Sequence, residues 1–115
     1  MPIPGGTRRA LARRLDLRRQ KRWPALVDLS TRYRGSFAYV AGSTEDEPSL
    51  PLFRLRHLGS PDNWGFAIYL ASKDGYEDSA LPTGSFTGAP EEALDCACGL
   101  YLNDITAWAN TRENF

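Results

Sequence analysis

A chain of 115 residues and 12.8 kDa, 42% apolar and 24% charged, has room for one compact domain and not for two. This composition excludes a wholly disordered chain, and no apolar run approaches the ~18 residues of a membrane-spanning helix or forms the apolar centre of a signal peptide. Net charge is zero, yet residues 1–34 hold ten basic and two acidic residues, a net of +8, and residues 35–115 carry the balancing −8. Such an asymmetry between halves points to an interacting tail.

In chain order, residues 1–6 contain two prolines and two glycines and read as loop, with Thr7 as a helix N-cap. The following stretch repeats basic pairs: Arg8, Arg9, Arg13, Arg14, Arg18, Arg19, Lys21 and Arg22. Wound as a helix it offers only the thin apolar stripe of Leu11 and Leu15, narrower than a packed surface helix usually carries. Residues 1–23 are therefore expected to be a solvated Arg-rich arm, flexible or helical only on meeting a partner, ahead of a single domain over 24–115.

Trp23-Pro24 marks the boundary, because the residue before proline is pushed out of the helical region and proline suits a first helical position. Leu26, Leu29 and Tyr33 have helical spacing, which predicts a short amphipathic helix over 24–33. A strand is predicted over 35–41, with Phe37 and Tyr39 on one face and Ala38 and Val40 on the other. After an acidic connection, residues 50–71 read as a hairpin around a Gly-Ser-Pro-Asp-Asn turn. In its first strand Phe53, Leu55 and His57 alternate with Leu52, Arg54, Arg56 and Leu58. In its second, Trp64, Phe66, Ile68 and Leu70 make a heavily apolar face, opposite Gly65, Ala67 and Tyr69. Residues 72–89 are rich in turn formers, with 76–81 the one candidate for a fourth strand. Pro90 opens a helix with Glu91 and Glu92 in the first turn, where acidic groups complement the helix dipole. Leu94, Ala97, Cys98, Tyr101 and Ile105 form its apolar face, and residues 106–115 read as a loose tail anchored by Trp108. The expected architecture is α+β: a two-layer sandwich in which a three-stranded antiparallel sheet is covered by the C-terminal helix and the short N-terminal one.

The inventory for chemistry is short. His57 is the sole histidine, with no triad-like companion in sight, and reads as structural. Cys96 and Cys98 read as small core residues and free thiols of a reducing cytosol, and one histidine with a Cys-x-Cys falls short of a zinc pattern. Neither a metal nor a cofactor is expected. Residues 84–88 lead into a helix N-terminus, where anions can bind, but Glu91 and Glu92 would repel them.

Basic residues are the strongest interaction signal. Arg8, Arg9, Arg13, Arg14, Arg18, Arg19, Lys21 and Arg22 would attract phosphates and release counterions. Two other readings of the arm stay open: it folds back on its own acidic body, or it is an extension without a function of its own. Arg54, Arg56 and Tyr69, on the polar side of the hairpin, form a second candidate surface, of residue types enriched in binding hot spots.

The order helix, three strands, helix resembles the double-stranded RNA-binding domain, and Gly88-Ala-Pro-Glu-Glu-Ala-Leu is similar to the entry of that family's second helix. Residues 64–102 resemble the arm-binding domains of tyrosine integrases in an aromatic strand followed by Phe86, Thr87, Glu92 and Ala93 at a helix entry. Residues 54–102 are also similar to small uncharacterised proteins of high-GC, actinobacterial-type bacteria, a likeness that implies no activity. The first two imply nucleic-acid contact, though where they place basic groups this chain has Glu91 and Glu92.

The sequence thus predicts a cytoplasmic binding module rather than an enzyme, whose acidic body meets a protein and whose arm meets a polyanion. The alternative is a small DNA- or RNA-binding protein that uses the arm together with the Arg54/Arg56 face.

Overall fold

The computed structural model describes residues 2–45, 49–81 and 83–101. It is an α+β fold in which two helices cover one side of an antiparallel sheet. The elements are α1 (Gly5–Arg22), β1 (Asp28–Arg34), β2 (Phe37–Ser43), β3 (Leu50–Ser60), β4 (Asn63–Leu70), β5 (Gly75–Asp78), β6 (Thr87–Gly88) and α2 (Pro90–Tyr101). The strands follow one another as a meander, β1-β2-β3-β4-β5, and the two-residue β6 pairs with the other half of the β4 edge that β5 occupies. The sheet therefore has five strands plus a short sixth, not three.

The first correction concerns residues 24–33. They form no helix: β1 begins at Asp28 and pairs with β2 from Asp28↔Ser43 to Arg34↔Phe37. Leu29, Thr31 and Tyr33 turn inward at period two, and Leu29 and Tyr33 pack against the core. Spacing of Leu26, Leu29 and Tyr33 fits both periods. The loop that follows decides between them, for Gly35 at φ +59° and Ser36 form a two-residue hairpin turn.

A second correction concerns residues 1–23. The segment read as a solvated arm is α1, an integral layer of the fold. It starts behind Pro4 without a side-chain cap, so Thr7 lies inside the helix. Leu11 and Leu15 are 2% and 1% exposed, and with Ile3 and Trp23 they join the same apolar cluster as Val40, Leu55 and Leu94. Two leucines suffice because the Arg14 and Arg18 stems flank them while the heads pair with acids of α2.

The hairpin of β3 and β4 is the centre of the sheet, in register from Phe53↔Ile68 to His57↔Trp64. Trp64, Phe66 and Ile68 are buried beneath the helices together with Phe53 and Leu55, as the alternation predicts. Leu52 departs from it: the register with β2 slips between Val40 and Ala41, so that both Leu52 and Phe53 are fully buried. The candidate strand over 76–81 is met in part by β5, which starts at Gly75 and ends at Asp78.

Helix α2 starts where the sequence predicts. Pro90 takes its first position, and the Ala89 N–H donates to Glu92 Oε1 at 2.9 Å, the half of a capping box that the glutamate supplies. A Cβ on Gly88 would lie 2.6 Å from both Glu92 Oε1 and Leu81 Cδ1, so a larger residue there would have to push the Glu92 cap and the Leu81 tip aside. Leu94, Ala97, Cys96 and Cys98 are buried. Ile105, Trp108 and the tail lie outside the described residues.

Candidate functional site

The Arg-rich face of α1 is occupied by the protein's own acids. Arg14 makes a bidentate pair with Glu91, donating from Nε and Nη2 at 2.8 Å each, and its Nη1 reaches Asp62 Oδ1 at 2.8 Å and the Pro61 carbonyl at 2.9 Å. Arg18 grips Asp95 through Nε at 3.0 Å and Nη2 at 2.6 Å, and the Trp23 indole N–H donates to the same carboxylate at 2.9 Å. These hydrogen bonds push both guanidinium pKa values further up. Burial pushes the Glu91 carboxyl upward, but the Arg14 hydrogen bonds, its own backbone N–H and the charges of Arg14 and Arg18 together outweigh it and leave the group below its ordinary value. Arg19 bonds Asp16 and the Leu26 carbonyl, Arg8 bonds the Ile3 carbonyl and lies 5.1 Å from the Tyr33 ring centre, and Arg22 lies 4.4 Å from that of Trp23. Arg9, Arg13 and Lys21 are exposed.

Among the described residues, the other side of the sheet carries no helix. Strand register lines up two rows across it: Arg32, Tyr39, Arg54, Ala67, Asp78 and, beside them, Arg34, Phe37, Arg56, Gly65, Thr87. The rings form a connected set. Tyr76 meets Tyr39 and Tyr69 edge-on at 5.3 and 5.4 Å between centroids, and Phe37 lies 6.3 Å from Tyr39. Arginines are interleaved with them: Arg54 is 4.6 Å from the Phe37 centroid and 5.7 Å from Tyr76, and Arg32 is 5.9 Å from Tyr39. Burial among these neighbours raises the Tyr76 pKa.

Charge on this face runs one way. Arg32, Arg34, Arg54 and Arg56 occupy β1 and β3, whereas the carboxylates Asp74, which accepts from the Tyr69 hydroxyl, and Asp78 sit at the β5 end. Arg54 has a 3.7 Å contact with the largely exposed Asp78, and among the described residues Arg34 and Arg56 have no carboxylate in ion-pair range. Phe37, Arg54, Arg56, Leu58 and Phe86 surround a hollow of about 260 Å³ floored by Gly65 and Ala67.

Of the second candidate surface, Arg54 and Arg56 stand on this face beside the rings, and Tyr69 lies on it one strand away, against Tyr76. Sequence reasoning did not single out Arg32, Arg34, Tyr39 or Tyr76 as site residues, and named Phe86 only within a resemblance. The Gly35-Ser36 hairpin signal would have extended the alternation back to Arg34 and Arg32. His57 is half-buried, edge-on to Trp64 at 5.1 Å, and its Nδ1 accepts from the Gly59 N–H at 3.3 Å. Cys96 and Cys98 are buried free thiols; burial pushes Cys96 up to about 11 and Cys98 higher still. Among the described residues no three His, Cys, Asp or Glu side chains converge as metal ligands, and no helix is long and apolar enough to cross a membrane.

Comparison with protein-family models, with curated proteins and with solved structures finds no match to this chain.

Proposed function

We propose that the chain is a small nucleic-acid-binding protein, acting by binding rather than catalysis, with the helix-free face of the sheet as its contact surface. One observation carries this reading: four arginines and four aromatic rings, Phe37, Tyr39, Tyr69 and Tyr76, share one face that no helix covers among the described residues. Guanidinium groups pair with phosphates and stack on planar groups, and aromatic rings give bases a surface to lie on. Arg14 and Arg18 of α1, committed to Glu91, Asp62 and Asp95, are poor candidates for the same work. The arm-centred version of the reading is weakened accordingly, leaving Arg9, Arg13 and Lys21 as an auxiliary basic patch.

Titration of a labelled oligonucleotide at several salt concentrations tests the reading. If the four sheet arginines each neutralise one phosphate of a single strand, log K falls against log salt with a slope of about −3. Arg34→Ala should reduce that slope by about one. Absence of binding at low salt would defeat the proposal.

A further inference from the structure

We infer that the hollow on the open face seats a single unpaired nucleobase, and that the ligand is therefore single-stranded. The inference rests on the nucleic-acid reading above and adds to it a place for the base.

The hollow exists because β4 carries Gly65 and Ala67 where the neighbouring β3 carries Arg56 and Arg54. A Cβ on Gly65 would stand 3.3 Å from the Arg56 Cβ, so any larger residue would begin to fill the floor. Phe37 and Phe86 line it, the first held under the Arg54 guanidinium. Phe86 is 58% exposed, a large apolar ring in water at the rim of a cavity. Its backbone is fixed, since the Phe86 carbonyl accepts from the Phe66 N–H at 3.1 Å, so the ring is presented from an anchored position.

The volume of about 260 Å³ lies just under the ~300 Å³ lower bound of pockets for drug-sized ligands, the scale of one ring system. Planar aromatic and guanidinium groups at the walls favour a flat, polarisable occupant with its phosphates near Arg56 and Arg34. A base inside a duplex has both faces stacked and would first have to be extruded, whereas one in a single strand offers its face directly.

The test compares four probes on the full chain: labelled oligothymidylate, the equivalent oligouridylate, an abasic deoxyribose-phosphate strand of equal charge, and a duplex of the same length. The base-bearing strands should bind at least tenfold more tightly than the abasic strand and the duplex. Phe86→Ala should weaken the base-bearing strands by about tenfold and leave the abasic strand unchanged, with Phe86→Tyr restoring the loss. Equal affinity for base-bearing and abasic strands, equal or tighter duplex binding, or no effect of Phe86→Ala would overturn the base site. If Arg34→Ala still weakens every probe in that event, the contact surface stands and only the base site fails. If no probe binds, both fail.

Discussion

The two arginine-bearing surfaces of this molecule have opposite fates. On α1 the guanidinium groups of Arg14 and Arg18 end in bidentate geometry on carboxylates of α2, and Arg14 also reaches Asp62 of the β3–β4 turn. On the sheet, Arg32 and Arg54 end over aromatic rings, Arg54 with a further 3.7 Å contact to the largely exposed Asp78, and Arg34 and Arg56 point from β1 and β3 into the open. Residue type is the same, and the partner differs. A guanidinium that has found a carboxylate works as a structural fastener and its charge is already neutralised, whereas one resting on a ring keeps its charge for an incoming anion. Density of basic residues along the chain is thus a poor guide to where charge is available.

The sharpest way to break this comparison is to attack the α1 layer. Leu15→Ala should lower unfolding stability by about 2–5 kcal/mol in urea titrations, as truncation of a buried leucine does. A stability unchanged by that substitution would return residues 1–23 to the status of an arm. Arg18→Ala should cost about 1–3 kcal/mol, because it strips a charged partner from Asp95, whose side chain is only 16% exposed. The same variant should leave oligonucleotide affinity within about twofold. A large affinity loss at unchanged stability would place Arg18 among the ligand contacts instead.

Acid sharpens the same contrast. The folded protein holds the Glu91 carboxyl below its ordinary 4.5, since the Arg14 pair, the backbone N–H and the Arg18 charge together overcome the opposing effect of burial. A depressed carboxyl stabilises the fold fully above the unfolded value and loses that contribution as pH falls through the folded one. Stability should therefore decline as the pH is lowered through and below 4.5, and Glu91→Gln should start less stable at neutral pH and decline less steeply. On the sheet side, Arg34→Ala should shift stability by no more than about 0.5 kcal/mol while weakening binding across sequences. Smallest of all is the expected change in thiol chemistry. With burial raising Cys96 to about 11 and Cys98 beyond it, neither should react with a thiol reagent at neutral pH until denaturant is added.

Legibility of the fold followed the strength of the local pattern. The β3–β4 hairpin, the β2 alternation and the Pro90 start of α2 could be read from residue order because each rests on contacts within a few positions or on one adjacent strand. Residues 24–33 were misread because three apolar positions satisfied two periods at once, and the signal that separates them, Gly35-Ser36, lies outside the segment. The site was half legible. Arg54 and Arg56 share a strand and so declare a common face, but Arg32, Tyr39 and Tyr76 join them only through pairing across three further strands.

By itself the sequence determined that the protein is α+β, that Trp64, Phe66 and Ile68 form the buried side of its central strand, and that its charges are segregated +8 against −8. It held the acids and the arginines but not their pairing. Tertiary structure alone decided that Glu91, Asp62 and Asp95 meet Arg14 and Arg18 while Arg32 and Arg54 of the sheet meet rings. The physical reason is distance: electrostatic and stacking energies depend on separation in space over a few ångströms, and residues about 77 positions apart acquire a separation only when the layers close.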